Sequence, residues 1–257
     1  MAIGVGISGP RGGGGVPSLA DPPSFEDALA LYRADAGQTL IGGVLDSWAD
    51  QSGNGYNMSA SSAARRQYVS MNQGKFGFRD VLTFGAEGFR ALGLPTAAMT
   101  QFTFDIVLQW VNGSGGYSVT WGNVNTAYPV QLRITSARIE WWIRATSGWI
   151  LLYYTTANIG VTVGQTLRLT LACDFTQPLQ ADRYKIWRDG VAYTANSFIP
   201  NPTEPTSADN STGQFSLVST TTSASSDYPI GYIAIWDRLL TDTEIAENAA
   251  WKNQIWV

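Results

Sequence analysis

The chain predicts an all-β sandwich of two antiparallel sheets with one short C-terminal helix. Three observations carry that expectation. Apolar and polar residues alternate with period two over several short segments, among them 128–134, 138–144 and 166–172. Turn-forming Gly, Asn, Ser and Thr recur between such segments at close spacing, the pattern of strands joined by tight connections. Only 14% of residues are charged, while 44% are hydrophobic and the chain holds 10 Trp, 11 Tyr and 10 Phe. That is enough apolar surface for a large core, with fewer Glu and Lys than a helical protein carries.

At 257 residues one sandwich domain over 25–257 accounts for the chain. Residues 1–24 hold four consecutive glycines at 12–15 together with Pro17, Pro22 and Pro23. This composition builds no core and reads as a flexible N-terminal anchoring arm; alternating Ile3, Val5 and Ile7 suit docking on a partner as a strand. The N-terminus has no basic region and glycines interrupt its apolar stretch, so synthesis in a bacterial cytoplasm without a signal peptide is expected. No segment is long and apolar enough for a membrane span, and membrane insertion is not expected.

Within the domain, 102–110 reads as a long strand followed by a turn over 112–116. The segments 128–134, 138–144, 149–154 and 166–172 read as one antiparallel meander. Asp189 and Gly190 mark a tight hairpin turn. Residues 196–214 read as a surface loop, and 215–219 and 228–236 as the last strands. Thr241 and Glu244 form an S/T-x-x-E capping box opening a helix to about Lys252.

Chemistry is bounded by what the chain contains. It has no histidine and one cysteine, Cys173, so histidine-dependent nucleophilic and metal mechanisms are excluded and no intrachain disulfide forms. Cys173 ends the apolar run 167–173 and reads as a small buried hydrophobe. Formal net charge is -4 and no Lys or Arg run occurs, so nucleic acid is not an expected partner. Lys75, Lys185 and Lys252 are the only lysines; the remaining basic residues are arginines, suited to bidentate contacts.

Two segments are similar to signature regions of the concanavalin A-like, laminin G-like superfamily. The first comprises Leu31, Tyr32 and Arg33, then Trp48-Ala49-Asp50-Gln51-Ser52-Gly53-Asn54-Gly55, then Val81-Leu82-Thr83-Phe84. The second runs from Gly231 through Trp236, Arg238, Leu239, Thr241 and Glu244 to Ile245. The resemblance implies a jelly roll framed by these two ends. Trp48 and Phe84 are natural core residues, and Asn54-Gly55 suits the positive backbone angles of a tight turn. Asp46 and Asp50 are either calcium ligands, as in some relatives, or turn caps; the further acids that calcium needs are not evident. No cofactor or metal is assigned. The E-x-D-x-x-E strand motif of the superfamily's glucanases is absent, which argues against an enzyme; Glu140 would need a partner such as Asp105.

Alternation splits the meander into two faces. Tyr128, Val130, Leu132, Ile134, Ile139, Trp141, Ile143, Leu167, Leu169 and Leu171 are core. The opposite face collects Gln131, Arg133, Arg138, Glu140, Trp142, Arg144 and Arg168. An indole among arginines and a glutamate suits a saccharide, whose C-H faces stack on aromatics and whose hydroxyls pair with Arg and Glu. Anionic polysaccharide suits the arginines. The same pattern also fits a face covered by a loop, the arm or another subunit. Trp149, Tyr153, Tyr154, Trp121 and Tyr117 are candidates to extend the platform, although strand 149–155 is apolar on both faces and reads as buried.

A Gly-rich arm before a signal-less jelly roll resembles the layout of phage and phage-like particle proteins, with an anchor and a receptor-binding head. It implies a non-catalytic virion surface adhesin, a spike or fibre head, binding host cell-surface polysaccharide. Other virion proteins would hold the arm, and a homotrimer would supply avidity. A decoration protein of a capsid or tail, and a glycan-active hydrolase or lyase, are the alternatives.

Overall fold

Period-two alternation gives many of the strands one apolar face, and burying those faces against each other produces two stacked antiparallel sheets. A computed structural model describes residues 21–34, 36–41, 44–60, 67–72, 75–80, 89–109, 117–122, 128–134, 138–145, 148–155, 160, 165–194, 197–201, 205–208, 213–219 and 230–256. Strands are numbered along the chain. The smaller sheet has the order β1 (Ala30–Arg33), β18 (Ile230–Trp236), β8 (Gln101–Gln109), β13 (Thr166–Asp174), β14 (Tyr184–Arg188) and β15 (Val191–Tyr193).

The larger sheet begins at one edge with β16 (Ser197–Asn201), β12 (Gly148–Thr155), β11 (Arg138–Ala145), β10 (Tyr128–Ile134) and β9 (Tyr117–Trp121). It continues through β17 (Gln214–Ser219), β7 (Phe89–Leu92), β4 (Met58–Ala60), β3 (Val44–Trp48), β5 (Gln67–Asn72) and β6 (Lys75–Asp80). One more strand, β2 (Gln38–Ile41), pairs with β3. A 3-10 turn at Pro23–Phe25 and the helices α1 (Gln180–Arg183) and α2 (Asp242–Ile255) complete the described elements.

The main core lies between the sheets. Phe104, Ile106, Leu169 and Leu171 of the smaller sheet meet Leu132, Trp141, Ile143 and Leu152 of the larger one, all buried. Phe104 and Trp141 pack edge to face at 5.9 Å. Each such side chain contributes roughly 1.5–3 kcal/mol of transfer free energy.

A second core covers the outer face of the smaller sheet. Leu31, Val107, Trp187, Tyr232, Ala234 and Trp236 lie beneath Ile245, Trp251 and Trp256, and beside Phe25 and Ala28. Burial on both faces explains why β18 is apolar throughout. Trp256 sits directly on Gly231, where any β-carbon would collide with its ring. The same face carries a buried ion pair: Lys252 Nζ donates to both carboxylate oxygens of Asp105 at 2.6 Å, and Thr170 Oγ1 donates to Asp105 Oδ1 at 2.9 Å.

Several sequence expectations are realised in place. Asp189 and Gly190 both take positive φ, 52° and 78°, the signature of a type I′ hairpin turn. Thr241 and Glu244 form the reciprocal capping box, and α2 runs to Ile255, one turn beyond the expected end. Asp50 is a turn cap: its carboxylate accepts the amides of Leu31, Ser52 and Tyr56. Cys173 is buried, which pushes its thiol pKa up.

Others are corrected. The meander expected from four strands ends at β12, because β13 pairs with β8 and β14 in the other sheet. The fourth neighbour is β16, within the segment expected to be a loop. In the Asn54 turn the positive angles fall on Gly53 and Gly55, 88° and 79°, while the Asn54 amide instead donates to the carbonyls of Ala28 and Leu29. The packed body reaches back to Asp21, which pairs with Arg33. Ser24 donates to Asn248 Oδ1 at 2.6 Å and accepts Trp236 Nε1 on its carbonyl at 2.7 Å. The arm over residues 1–20, the turn at 112–116 and Phe84 lie outside the described residues. Among the described residues no helix is long and apolar enough to cross a membrane.

Lys252→Met leaves Asp105 buried without its cation and should lower the unfolding free energy by about 3–5 kcal/mol, read from urea midpoints, while Asp105→Leu/Lys252→Met recovers most of that loss. A second expectation concerns acid. Arg238 clamps Glu244 in two hydrogen bonds, 3.1 and 2.7 Å, and these hold its pKa at about 2 against an ordinary 4.5. A depressed carboxyl stabilises the fold above its unfolded pKa and loses that contribution as pH falls through the folded one. Melting temperatures between pH 4.5 and 2 should therefore fall more for the parent protein than for Glu244→Gln.

Candidate functional site

On β11 the residues Arg138, Glu140, Trp142 and Arg144 share one face because alternate side chains point the same way. Ile139, Trp141 and Ile143 occupy the other face and are buried in the core. The expected register holds: Trp142 is half-buried while Trp141 is fully buried. Antiparallel pairing then aligns rows across the larger sheet. Trp142 lies opposite Gln131 on one side and Leu151 on the other, and Glu140 lies opposite Arg133 and Tyr153. The Trp142 row continues from Gln131 to Thr120 and Ser216, and from Leu151 to Ile199 at the sheet edge.

Glu140 organises this face from below. Its side chain is only 1% exposed, yet it sits among groups that reach solvent. Oε1 accepts Arg138 Nε at 2.5 Å, and Oε2 accepts Trp142 Nε1 at 3.0 Å. Arg133 stands over Oε2 at 3.8 Å, with its side chain 43% exposed. Arg138 in turn lies over the ring of Tyr153, 5.2 Å from the centroid, a cation–π geometry. Trp142 packs against Trp149 at 5.1 Å with the rings tilted by 42°. Gln131 Nε2 donates to Thr120 Oγ1 at 3.3 Å.

The result is a patch of three partly exposed rings, Trp142, Trp149 and Tyr153, bordered by Arg133, Arg138 and Arg144. A buried carboxylate fixes the indole and one guanidinium in advance, so a ligand meets a surface with little side-chain freedom left to lose. Six of the seven residues expected from sequence share this face, but their roles differ. Glu140 is a positioning residue, since both its oxygens are engaged beneath the surface.

Arg168 does not belong to the patch. It lies on β13 in the smaller sheet, where it binds Asp189 at 2.8 Å and the carbonyl of Trp256 under the end of α2. Asp105 is equally remote as a partner for Glu140: it sits on the outer face of the smaller sheet, bound to Lys252, across the whole sandwich. Trp149 and Tyr153, expected to be buried, are half-exposed and complete the aromatic surface. Their register opposite Arg144 and Glu140 is the signal that locates them. Tyr154 is buried as expected, whereas Trp121, a candidate to extend the platform, is fully buried in the core instead.

No protein-family model matches this chain, and no curated protein matches it in sequence. Solved structures match it in fold. The botulinum neurotoxin type G receptor binding domain superposes with a TM-score of 0.57 at 15% identity, over 88% of this chain and 51% of that one. The serotype D ligand binding domain in complex with N-acetylneuraminic acid gives 0.59 at 12% identity, over 90% and 52%. The botulinum neurotoxin DC binding domain in complex with rat synaptotagmin II gives 0.61 at 11% identity, over 88% and 52%. The present chain thus spans about half the length of these relatives. At such identities the likeness shows the fold alone: a sandwich of two antiparallel sheets with a C-terminal helix.

The two adjacent tryptophans separate the faces experimentally. Trp141→Ala should cost roughly 3–5 kcal/mol of stability, and Trp142→Ala about 1 kcal/mol, the worth of one aromatic pair. Loss of the Trp142 hydrogen bond to the buried Glu140 adds about 1 kcal/mol or more to its figure, and thermal melts of the two variants read the remaining difference directly.

Proposed function

We propose that this domain is a non-catalytic binding module for cell-surface polysaccharide, with the ligand lying on the Trp142 face of the larger sheet. The observation that carries the reading is the arrangement of Trp142, Trp149 and Tyr153 as partly exposed rings beside arginines, two of them gathered around the buried Glu140. Rings of this kind receive the C-H faces of sugars, and the guanidinium groups beside them donate to hydroxyl oxygens. From Arg138 to Arg144 the strand extends about 20 Å, so the ligand is an oligosaccharide of several rings rather than one sugar. The relatives described as bound to N-acetylneuraminic acid and to synaptotagmin II make ligand recognition a use already made of this fold.

The placement of two carboxylates supports binding without turnover. A glycosidase acts through two carboxyl groups flanking one bond, whereas Glu140 is engaged beneath the surface and its suggested partner Asp105 is bound to Lys252 on the opposite side.

The reading extends to the setting. The domain serves as the head of a phage or phage-like particle spike or fibre, anchored to other virion proteins through residues 1–20 and repeated as a trimer. Asp21 and Trp256 both lie on the α2 side of the molecule, away from the Trp142 face, so an anchor on that side directs the rings outward.

On arrays of bacterial surface polysaccharides the protein should bind, and Trp142→Ala should lose binding at least tenfold with an unchanged circular dichroism spectrum. Removal of residues 1–20 should preserve that binding and abolish particle incorporation. Binding unaffected by Trp142→Ala moves the site off this face, and detectable depolymerisation of a bound polysaccharide refutes the non-catalytic reading.

A further inference from the structure

The charge balance of the patch narrows the ligand. Arg133, Arg138 and Arg144 border it, and Glu140 beneath them is the one carboxylate whose ion pairs reach these arginines among the described residues. Among the described residues, cationic groups thus outnumber carboxylates on this face of a chain whose formal net charge is -4. Two of the three arginines also have hydrogen-bonding capacity in hand. Arg133 makes no hydrogen bond to a described residue; its nearest carboxylate oxygen, Glu140 Oε2, is 3.8 Å away, and its side chain is 43% exposed. Arg144 has no carboxylate partner among the described residues and stands in register with Trp149.

Resting on the glycan reading above, we propose that the ligand is an acidic saccharide whose anionic group is held by Arg133 or Arg144 while a neighbouring ring stacks on Trp142 and Trp149. A neutral sugar leaves these planar forks facing hydroxyls, with only weak acceptors. A carboxylate or phosphate oxygen pair matches a guanidinium in two parallel hydrogen bonds of the charge-assisted kind. Glu140 sharpens the preference. Because its charge is already neutralised by Arg138, it holds the face in shape without presenting a negative surface to an incoming anion. A protein acidic overall repels polyanions at long range, so selection has to come from this local reversal of sign.

The test uses the full chain on an array of purified bacterial polysaccharides that includes neutral, uronate-bearing and phosphate-bearing polymers. Binding confined to the acidic polymers is expected; which of the two acidic groups binds identifies the anion. For a bound polymer, removing the anionic group, by carboxyl reduction or dephosphorylation, should weaken binding about tenfold or more. Arg144→Gln and Arg133→Gln, measured singly and together, should weaken the acidic form and leave the residual affinity of the neutralised form unchanged. Trp142→Ala should weaken both forms. Raising salt from about 0.05 to 0.5 M should weaken binding by the parent protein more than by the double arginine variant. Binding to neutral polymers with no salt dependence overturns the acidic ligand and leaves the glycan face standing. Absence of binding to every polymer overturns both.

Discussion

The ion pair between Asp105 and Lys252 is the constraint on which the rest of the architecture hangs. Asp105 stands on β8, near the middle of the smaller sheet, and its side chain points away from the main core. Inaccessible to water, its carboxylate requires a partner, and α2 delivers Lys252 to it with both groups almost wholly buried. An isolated buried charge costs several kcal/mol, while a paired one contributes little net stability. The pair therefore selects a position for the helix more than it drives the helix onto the sheet. The driving force comes from Trp251, Trp256, Ile245 and Phe25 closing over Tyr232 and Trp236. With the helix fixed in this register, Trp256 falls onto Gly231 and its carbonyl meets Arg168.

The molecule uses a second buried carboxylate in the opposite sense. Asp105 is surrounded by groups that are themselves buried, and its interactions end inside the protein. Glu140 is as deeply buried, yet its partners Arg138 and Arg133 extend to the surface and Trp142 is half in solvent. One anion closes a structure and the other presents one. The difference lies in what covers the sheet: α2 and the first packed residues lie over the smaller sheet, whereas Trp142, Trp149 and the guanidinium groups of the larger sheet keep part of their surface in solvent.

Much of this was legible in the sequence because side-chain alternation is a local property. The division of β11 into Trp141 and Trp142 faces, the capping box of α2 and the Asp189 turn all depend on residues within a few positions of each other. What alternation leaves open is which sheet a strand joins. Arg168 has the same parity relation to its core neighbours as Arg133, but β13 crosses to the other sheet, and the long pairing with β8 that takes it there involves residues about sixty positions earlier. Trp149 and Tyr153 failed for a related reason: apolar residues on both faces of a strand suggest double burial, and only cross-strand register shows that these two adjoin Arg144 and Glu140. Segment 197–201 carries too few apolar residues to stand out, so its pairing with β12 was visible only in three dimensions.

That pairing makes β16 the terminal strand of the larger sheet, and its sequence, Ser197-Phe198-Ile199-Pro200-Asn201, places a proline opposite Ile150. Proline has no amide hydrogen and is accommodated in a sheet where its nitrogen faces outward from an edge. A neighbouring molecule seeking to add a strand there finds the ladder of donors interrupted at its centre. Copies crowded side by side at high local density are thereby kept from fusing through this edge into a continuous cross-molecular sheet. Association at this edge has to use side-chain surfaces instead of backbone pairing.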